Sequence, residues 1–373
     1  MSKTSFPRFP AGQGSLQGLR VIDLSRILGG PYCGQILGDH GADVLKIEPP
    51  QGDDTRTWGP PFRHGVASYY MGLNRNKLGM QLDLASDVGR LALMGLLEDA
   101  DVLIENFKTG TMEKWGLGFD VLHARFPRLV HCRVSGFGAD GPLGGLAGYD
   151  AAVQAMAGIM SVNGEVDGEP LRVGLPVVDL VTGLNAALGV MLALQERARS
   201  GLGQFVEASL YDCGLSLLHP HASNWFMDGR EPRLTGNAHP NIYPYDAFAT
   251  RSGALFLAVG NDRQFAWLCD ELGSPEVARD PRYASAGARS VNRAELRAWL
   301  LEQLATCDGQ ALADALMLRG VPCAPVLKVS EALQHPHTRH REMVVSIGDG
   351  YTGVASPIKL SRSPASYRLA PPL

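Results

Sequence analysis

The chain has 373 residues, 45% of them hydrophobic and 19% charged, with a formal net charge of −4. That length accommodates about two domains with a well-buried core, and the composition is that of an ordinary globular protein. The balance offers no basic field for nucleic acid or an anionic membrane surface, so neither is expected as a partner.

Six cysteines (Cys33, Cys132, Cys213, Cys269, Cys307, Cys323) stand singly. They lack the paired spacing of a metal site and predict reduced, mostly buried thiols in a cytoplasmic protein. Residues 1–15 lack an apolar segment of leader type, which predicts no secretory signal. The apolar stretch 184–194 is too short and too rich in Gly and Ala to predict a membrane span.

In chain order, residues 19–24 (Leu-Arg-Val-Ile-Asp-Leu) predict a buried strand. Gly29, Gly30 and Pro31 predict a turn, residues 32–37 a helix, and residues 43–47 a second strand. Strand, helix and strand in that order predict a parallel sheet. The first turn lacks the GxGxxG spacing of a dinucleotide fingerprint. Residues 51–62 form a polar Pro- and Gly-containing loop that carries Arg56 beside Trp58 and Phe62; such loops serve either as solvated surface or as binding segments. Asn74-Arg-Asn-Lys77 is a basic turn, solvated or facing phosphates. A helix over 86–99 capped by Ser86, strands over 102–104 and 129–135, and a Gly-rich loop over 136–148 extend the β–α alternation. Open α/β sheets bind ligands on the loops at their strand C-termini.

Residues 151–160 predict a helix. Gly174-Leu-Pro-Val-Val-Asp-Leu-Val-Thr-Gly183 then ends an apolar run at Asp179, ahead of small and apolar residues through Leu194. Two roles fit Asp179: an N-cap that accepts hydrogen bonds from the first helical turn, or a nucleophile or general base kept partly dry. The helix dipole favours an ionised carboxylate there. A strand over 204–208 and a helix over 210–218 capped by Ser209 follow. Beyond about residue 219 the composition changes. A hairpin of 247–250 with 255–259 and helices over 262–272 and 294–305 predict a smaller α+β domain at 225–330. The tail 354–360 predicts a strand returning to the first domain.

Several stretches together resemble the class III CoA-transferases, the family that includes formyl-CoA transferase, carnitine CoA-transferase and α-methylacyl-CoA racemase. They are Gly18-Leu-Arg-Val-Ile-Asp-Leu-Ser-Arg-Ile-Leu-Gly-Gly-Pro31, Gly41-Ala-Asp-Val-Leu-Lys-Ile-Glu48, Asn74-Arg-Asn-Lys77, Glu105-Asn-Phe107, Gly148-Tyr-Asp150, Val177-Val-Asp-Leu180, Gly201-Leu-Gly-Gln204 and Gly320-Val-Pro-Cys-Ala-Pro-Val326. The series covers nearly the whole chain in order.

The resemblance implies an α/β fold. A Rossmann-like CoA-binding domain over 1–224, rejoined by 331–373, would carry a small α+β domain over 225–330, and two chains would interlock as a homodimer. It further implies that Asp179 attacks an acyl-CoA thioester to form a mixed anhydride. The released CoA thiolate then attacks the aspartyl carbonyl to give an aspartyl-CoA thioester, and the acceptor carboxylate reverses the sequence. No metal or ATP is required, because one thioester replaces another. The coenzyme A thioester is a co-substrate, not a resident cofactor.

By the same resemblance Arg26, Ile27, Leu28 and Gly29 lie along CoA, Asn106 and Phe107 contact it, and Leu82 meets the adenine. Lys114 takes the place of a phosphate-binding arginine, and Tyr149 sits near the thioester. Pro49 and Ala147 replace basic residues of formyl-CoA transferase, which shifts phosphate recognition to Arg75, Lys77 and Lys114. The glycine-rich loop of that enzyme has no counterpart between Arg230 and Ala258, which argues against formyl-CoA and oxalate.

The loop 52–62 with Asn74-Arg-Asn-Lys77 is most similar to succinyl-CoA-dependent transferases acting on dicarboxylates such as glutarate, hydroxymethylglutarate, itaconate or malate. Arg56 would then meet a distal carboxylate, helped by His239 or Tyr243; the alternative is that Arg56 holds its own loop or binds a CoA phosphate. A racemase would need a histidine where Tyr149 stands, and tyrosine is a poor base near neutral pH. A non-catalytic CoA-binding protein is the remaining alternative, and the retained Asp179 argues against it.

Overall fold

The computed structural model describes residues 4–373. They divide into two compact units. The first takes residues up to 159, 173–217 and 335–373, and the second takes 160–172 and 218–334. Residues 160–172, 218–224 and 331–334, expected in the first domain, thus belong to the second unit.

The first unit is built on six parallel strands: β1 (Arg20–Asp23), β2 (Asp43–Glu48), β3 (Lys77–Gln81), β4 (Val102–Glu105), β5 (Val130–Ser135) and β6 (Phe205–Ser209). Their order across the sheet is β3-β2-β1-β4-β5-β6, the doubly wound arrangement of nucleotide-binding α/β proteins. Ile22 pairs with Leu45 on one side and Leu103 on the other. The central strands are buried on both faces, which explains their continuous apolar runs. Helices α1 (Gly29–Asp39), α2 (Asp87–Leu97), α3 (Asp150–Met156) and α4 (Val177–Ser200) belong to the same unit. Leu93, Leu96 and Leu97 of α2 join Ile22, Leu45 and Leu103 in one core cluster.

Ser86 caps α2 through Gly89 N–H at 3.0 Å. Ser209 caps the helix Leu210–Ser216 through Asp212 N–H at 3.1 Å. Both caps lie within three residues of their targets, so they are readable from sequence.

Helix α4 is long and apolar enough, by length and composition, to cross a membrane, with a mean hydropathy of 1.9. Its Val178, Thr182, Ala186, Val190 and Ala193 are buried within the unit. It crosses α1 through glycines: a Cβ on Gly183 would stand 2.7 Å from the Gly29 carbonyl oxygen. Side chains larger than hydrogen would separate the two helices.

The second unit carries a three-stranded antiparallel sheet of β7 (Tyr245–Thr250), β8 (Gly253–Ala258) and β9 (Cys323–Pro325), with β8 central. Helices Asp262–Glu271, Arg293–Leu304 and Gly309–Leu318 supply Leu268, Leu300 and Leu316 to its core.

The C-terminal region departs from expectation. Residues 344–347 and 351–354 form a separate hairpin, β10 (Val344–Ile347) and β11 (Tyr351–Val354), so the strand expected over 354–360 does not form. The last residues instead run along Asn76, whose side-chain oxygen accepts from Arg368 N–H at 2.7 Å and whose Nδ2 donates to Ser366 O at 2.8 Å. A single buried amide thereby satisfies backbone groups of a segment that has no ladder partner.

Candidate active site

In this sheet order the chain leaves the C-terminal ends of β1 and β4 in opposite directions, which opens a crevice between them. Residues that follow β1, β4 and β5 line a cavity of about 240 Å3 there. Arg26, Ile27, Leu28, Gly29, Asn106, Phe107, Tyr149 and Asp179 all border it, so the structure gathers most of the expected site residues around one space. It falls short of the roughly 300–1,000 Å3 that encloses a complete drug-sized ligand, so it can enclose only one end of a longer one.

The walls are fixed by polar contacts. The Asn106 side chain accepts from Arg26 N–H at 2.9 Å and donates to Arg26 O at 2.6 Å. Next in the chain, Ile27 has a φ of 71°, a left-handed conformation unfavourable for a β-branched residue. Its N–H meets Asp53 Oδ1 at 3.4 Å, and Lys46 Nζ holds the other oxygen of Asp53 at 3.1 Å. Both Lys46 and Asp53 are fully buried. This buried pair supports the strained turn that aims the N-terminus of α1 at the cavity.

Asp179 does not cap α4. It lies in the first turn, behind Pro176 at the N-cap position. The capping carboxylate is Asp150, the first residue of α3, whose Oδ1 accepts from Val178 N–H at 2.9 Å and Asp179 N–H at 3.3 Å. Gln154 completes the network. It donates to Asp150 Oδ2 at 2.6 Å and to Leu175 O at 3.3 Å, and accepts from Val173 N–H at 2.8 Å.

With the cap supplied by another helix, the Asp179 carboxylate lines the cavity, only 8% exposed. Burial, and then the charge of Asp150, push its pKa from 3.8 to about 7. The expectation that the helix dipole keeps Asp179 ionised is therefore corrected: desolvation and a like charge outweigh the dipole. Burial followed by the charges of Asp179 and Asp150 pushes the Tyr69 phenol up to about 12, which places Tyr69 in the field of the pair. Tyr149 is 60% exposed at the cavity rim.

A second cavity of about 460 Å3 adjoins the first, and Arg26, Phe107 and Lys108 border both. Leu82 lines it, with Leu24, Ile47 and Trp115. Lys114 is exposed at the end of the short helix Thr111–Lys114 and does not line it.

Other expected residues are engaged elsewhere. Arg75, 3% exposed, makes a two-armed ion pair with Asp39 and also donates to Tyr351 Oη and Val354 O. Lys77 donates to Asp23 at 2.8 Å, Pro31 O at 2.8 Å and Asn74 Oδ1 at 2.9 Å, with its side chain fully buried. Neither faces a ligand, because a cation in the core must spend its donors on fixed acceptors. Arg56 pairs with Glu48 through two bonds of 2.8 Å and lies over the Tyr70 ring at 4.0 Å, so it holds its own loop. Tyr243 is buried in the core of the second unit. His239 accepts from Asn241 and Ile242 N–H through Nδ1.

Asp150, Tyr69 and Lys108 were not assigned roles from sequence. Asp150 lies 29 residues before Asp179, and only the pairing of α3 with α4 brings them together. Lys108 directly follows Glu105-Asn-Phe107 and could have been found by extending that motif one residue.

Among the described residues, no group of three or more His, Cys, Asp or Glu is placed to hold a metal ion.

Succinate–glutarate CoA-transferase of Agrobacterium fabrum is 40% identical over 368 residues, covering 96% of this chain and 92% of its own. Succinyl-CoA:mesaconate CoA-transferase of Haloarcula hispanica is 38% identical over 94% of this chain and 91% of its own. The crystal structure of a CAIB/BAIF family protein from Brucella suis superposes with a TM-score of 0.86 at 40% identity, covering 97% and 96% of the two chains. The sequence model of CoA-transferase family III matches residues 16–373. This chain, with its central parallel sheet and the crevice at the switch point, therefore belongs to CoA-transferase family III.

Proposed function

We propose that the protein transfers CoA from succinyl-CoA to a small dicarboxylate, with Asp179 as the group that carries the acyl and CoA moieties in turn. The observation that carries this reading is the Asp179 carboxylate, buried but aimed into the cavity bordered by residues 26–29 and 106–109. Its raised proton affinity makes the ionised fraction a better nucleophile than an ordinary aspartate. Attack on the thioester carbonyl would release CoA thiolate and form the mixed anhydride. The thiolate would then attack the aspartyl carbonyl and expel succinate, leaving the aspartyl-CoA thioester for the acceptor. Shelter from water protects the anhydride. The names of the relatives support succinyl-CoA as donor and a dicarboxylate such as glutarate or mesaconate as acceptor.

The exposed apolar residues Leu184, Leu188, Met191 and Leu192 of α4 recur at helical spacing. This supports a homodimer in which a second copy covers that face.

The test is mass spectrometry after incubation with succinyl-CoA, with and without hydroxylamine, beside Asp179→Ala. A hydroxylamine-sensitive adduct on Asp179, absent in the variant, is the expected result. Absence of an adduct with succinyl-CoA, acetyl-CoA and other acyl donors would overturn covalent transfer.

A further inference from the structure

Glu105 ends β4, and its side chain is fully buried. Its Oε2 accepts from Phe107 N–H at 2.9 Å, and its Oε1 accepts from Arg133 Nε at 2.5 Å. The same guanidinium donates through its other arm to Glu113 Oε1 at 2.7 Å. Arg133 comes from the middle of β5, is itself 4% exposed, and lies over the Phe205 ring at 5.2 Å. One rigid cation in the sheet thus grips both ends of a nine-residue stretch, 105–113. Within it, Asn106 to Thr109 line the cavity that holds Asp179, and Phe107, Lys108 and Thr111 line the adjoining one. Asn106 in turn holds the Arg26 backbone on the opposite wall. Phe107 packs edge-on against Trp115 at 5.3 Å, just past the far grip.

We propose that Arg133 is a positioning residue for acyl-CoA binding: through Glu105 and Glu113 it staples the segment 106–112 in the conformation that presents Asn106, Phe107 and Lys108 to the ligand. This rests on the reading of the two cavities as the acyl-CoA site. The guanidinium suits the task because its planar fork can satisfy two carboxylates in fixed directions, which the single ammonium of lysine cannot. Holding the loop before the ligand arrives removes an ordering cost from binding and leaves the chemistry on Asp179 untouched. The staple should therefore act on KM for the CoA thioester and not on kcat.

Removing Arg133 outright would strand Glu105 in the core, so the primary variant is Glu113→Gln, which takes the charge from the half-exposed outer grip alone and so weakens it. Glu113→Gln is expected to raise KM for succinyl-CoA about two- to fivefold, the range of a partly exposed ion pair. It should leave kcat and the melting temperature at wild-type values and weaken hydrogen-exchange protection over 106–112 in the free protein. Arg133→Lys is expected to raise KM further, and Glu113→Gln added to it should then have no additional effect. Unchanged KM and unchanged exchange protection in Glu113→Gln would overturn the staple, as would a fall in kcat at constant KM. If the exchange effect appears but wild-type protein neither binds nor is labelled by any acyl-CoA, the reading of the cavities fails, and with it the assignment of the staple to acyl-CoA binding.

Discussion

Replacing Asp179 by Asn should stabilise the protein, and the gain should depend on pH. The carboxyl moves from 3.8 to about 7 through burial and the Asp150 charge. At about 1.4 kcal/mol for each tenfold change in proton affinity, the ionised folded protein carries a penalty of about 4 kcal/mol relative to the unfolded chain. The sign follows from proton binding. Between pH 3.8 and 7 the folded state keeps a proton that the unfolded state has released, so wild-type stability from this group is present below pH 3.8 and lost as pH rises through 7. Asn has nothing to ionise. Denaturant unfolding of the two proteins from pH 4 to pH 9 should show the advantage of Asp179→Asn growing from pH 4 to pH 7 and levelling above pH 8. A difference that is flat across this range, or a wild type that gains on the variant with rising pH, would refute the assignment of a buried, proton-retaining Asp179.

Two further outcomes follow from the same geometry. Asp150→Asn keeps a side-chain oxygen for the N–H groups of Val178 and Asp179 but removes the charge. The Asp179 midpoint should then fall below 7, and the acid limb of acyl-adduct formation should move to lower pH; an unmoved limb would show that the Asp150 charge does not reach Asp179. Arg75→Met strands Asp39 in the core and should cost about 3–5 kcal/mol of stability without raising KM for acyl-CoA in the folded fraction. A raised KM with stability unchanged would return Arg75 to the phosphate-binding role that its buried position argues against.

The sequence by itself determined what depends on near neighbours. Apolar runs marked β1, β2, β4, β5 and β6 but not the edge strand β3, Lys77–Gln81, and Ser86 and Ser209 marked helix starts three residues ahead of the N–H groups they bind. The ordered motifs pointed to the family and to Arg26, Ile27, Leu28, Gly29, Asn106, Phe107, Tyr149 and Asp179, which the sheet order then gathers around one cavity.

Tertiary structure alone decided the pairing of charges. Arg75 and Lys77 read as a basic turn open to phosphate, yet their partners Asp39 and Asp23 lie 36 and 54 residues away. Arg56 likewise closes on Glu48 and Tyr70. An isolated cation in a sequence is indifferent to which anion it meets. Desolvation in the fold makes the choice, because a charge taken out of water must be matched where it stands. The same physics exchanged the roles of two aspartates: Asp150 took the helix cap, and Asp179, relieved of it, was left facing the cavity with its proton affinity raised.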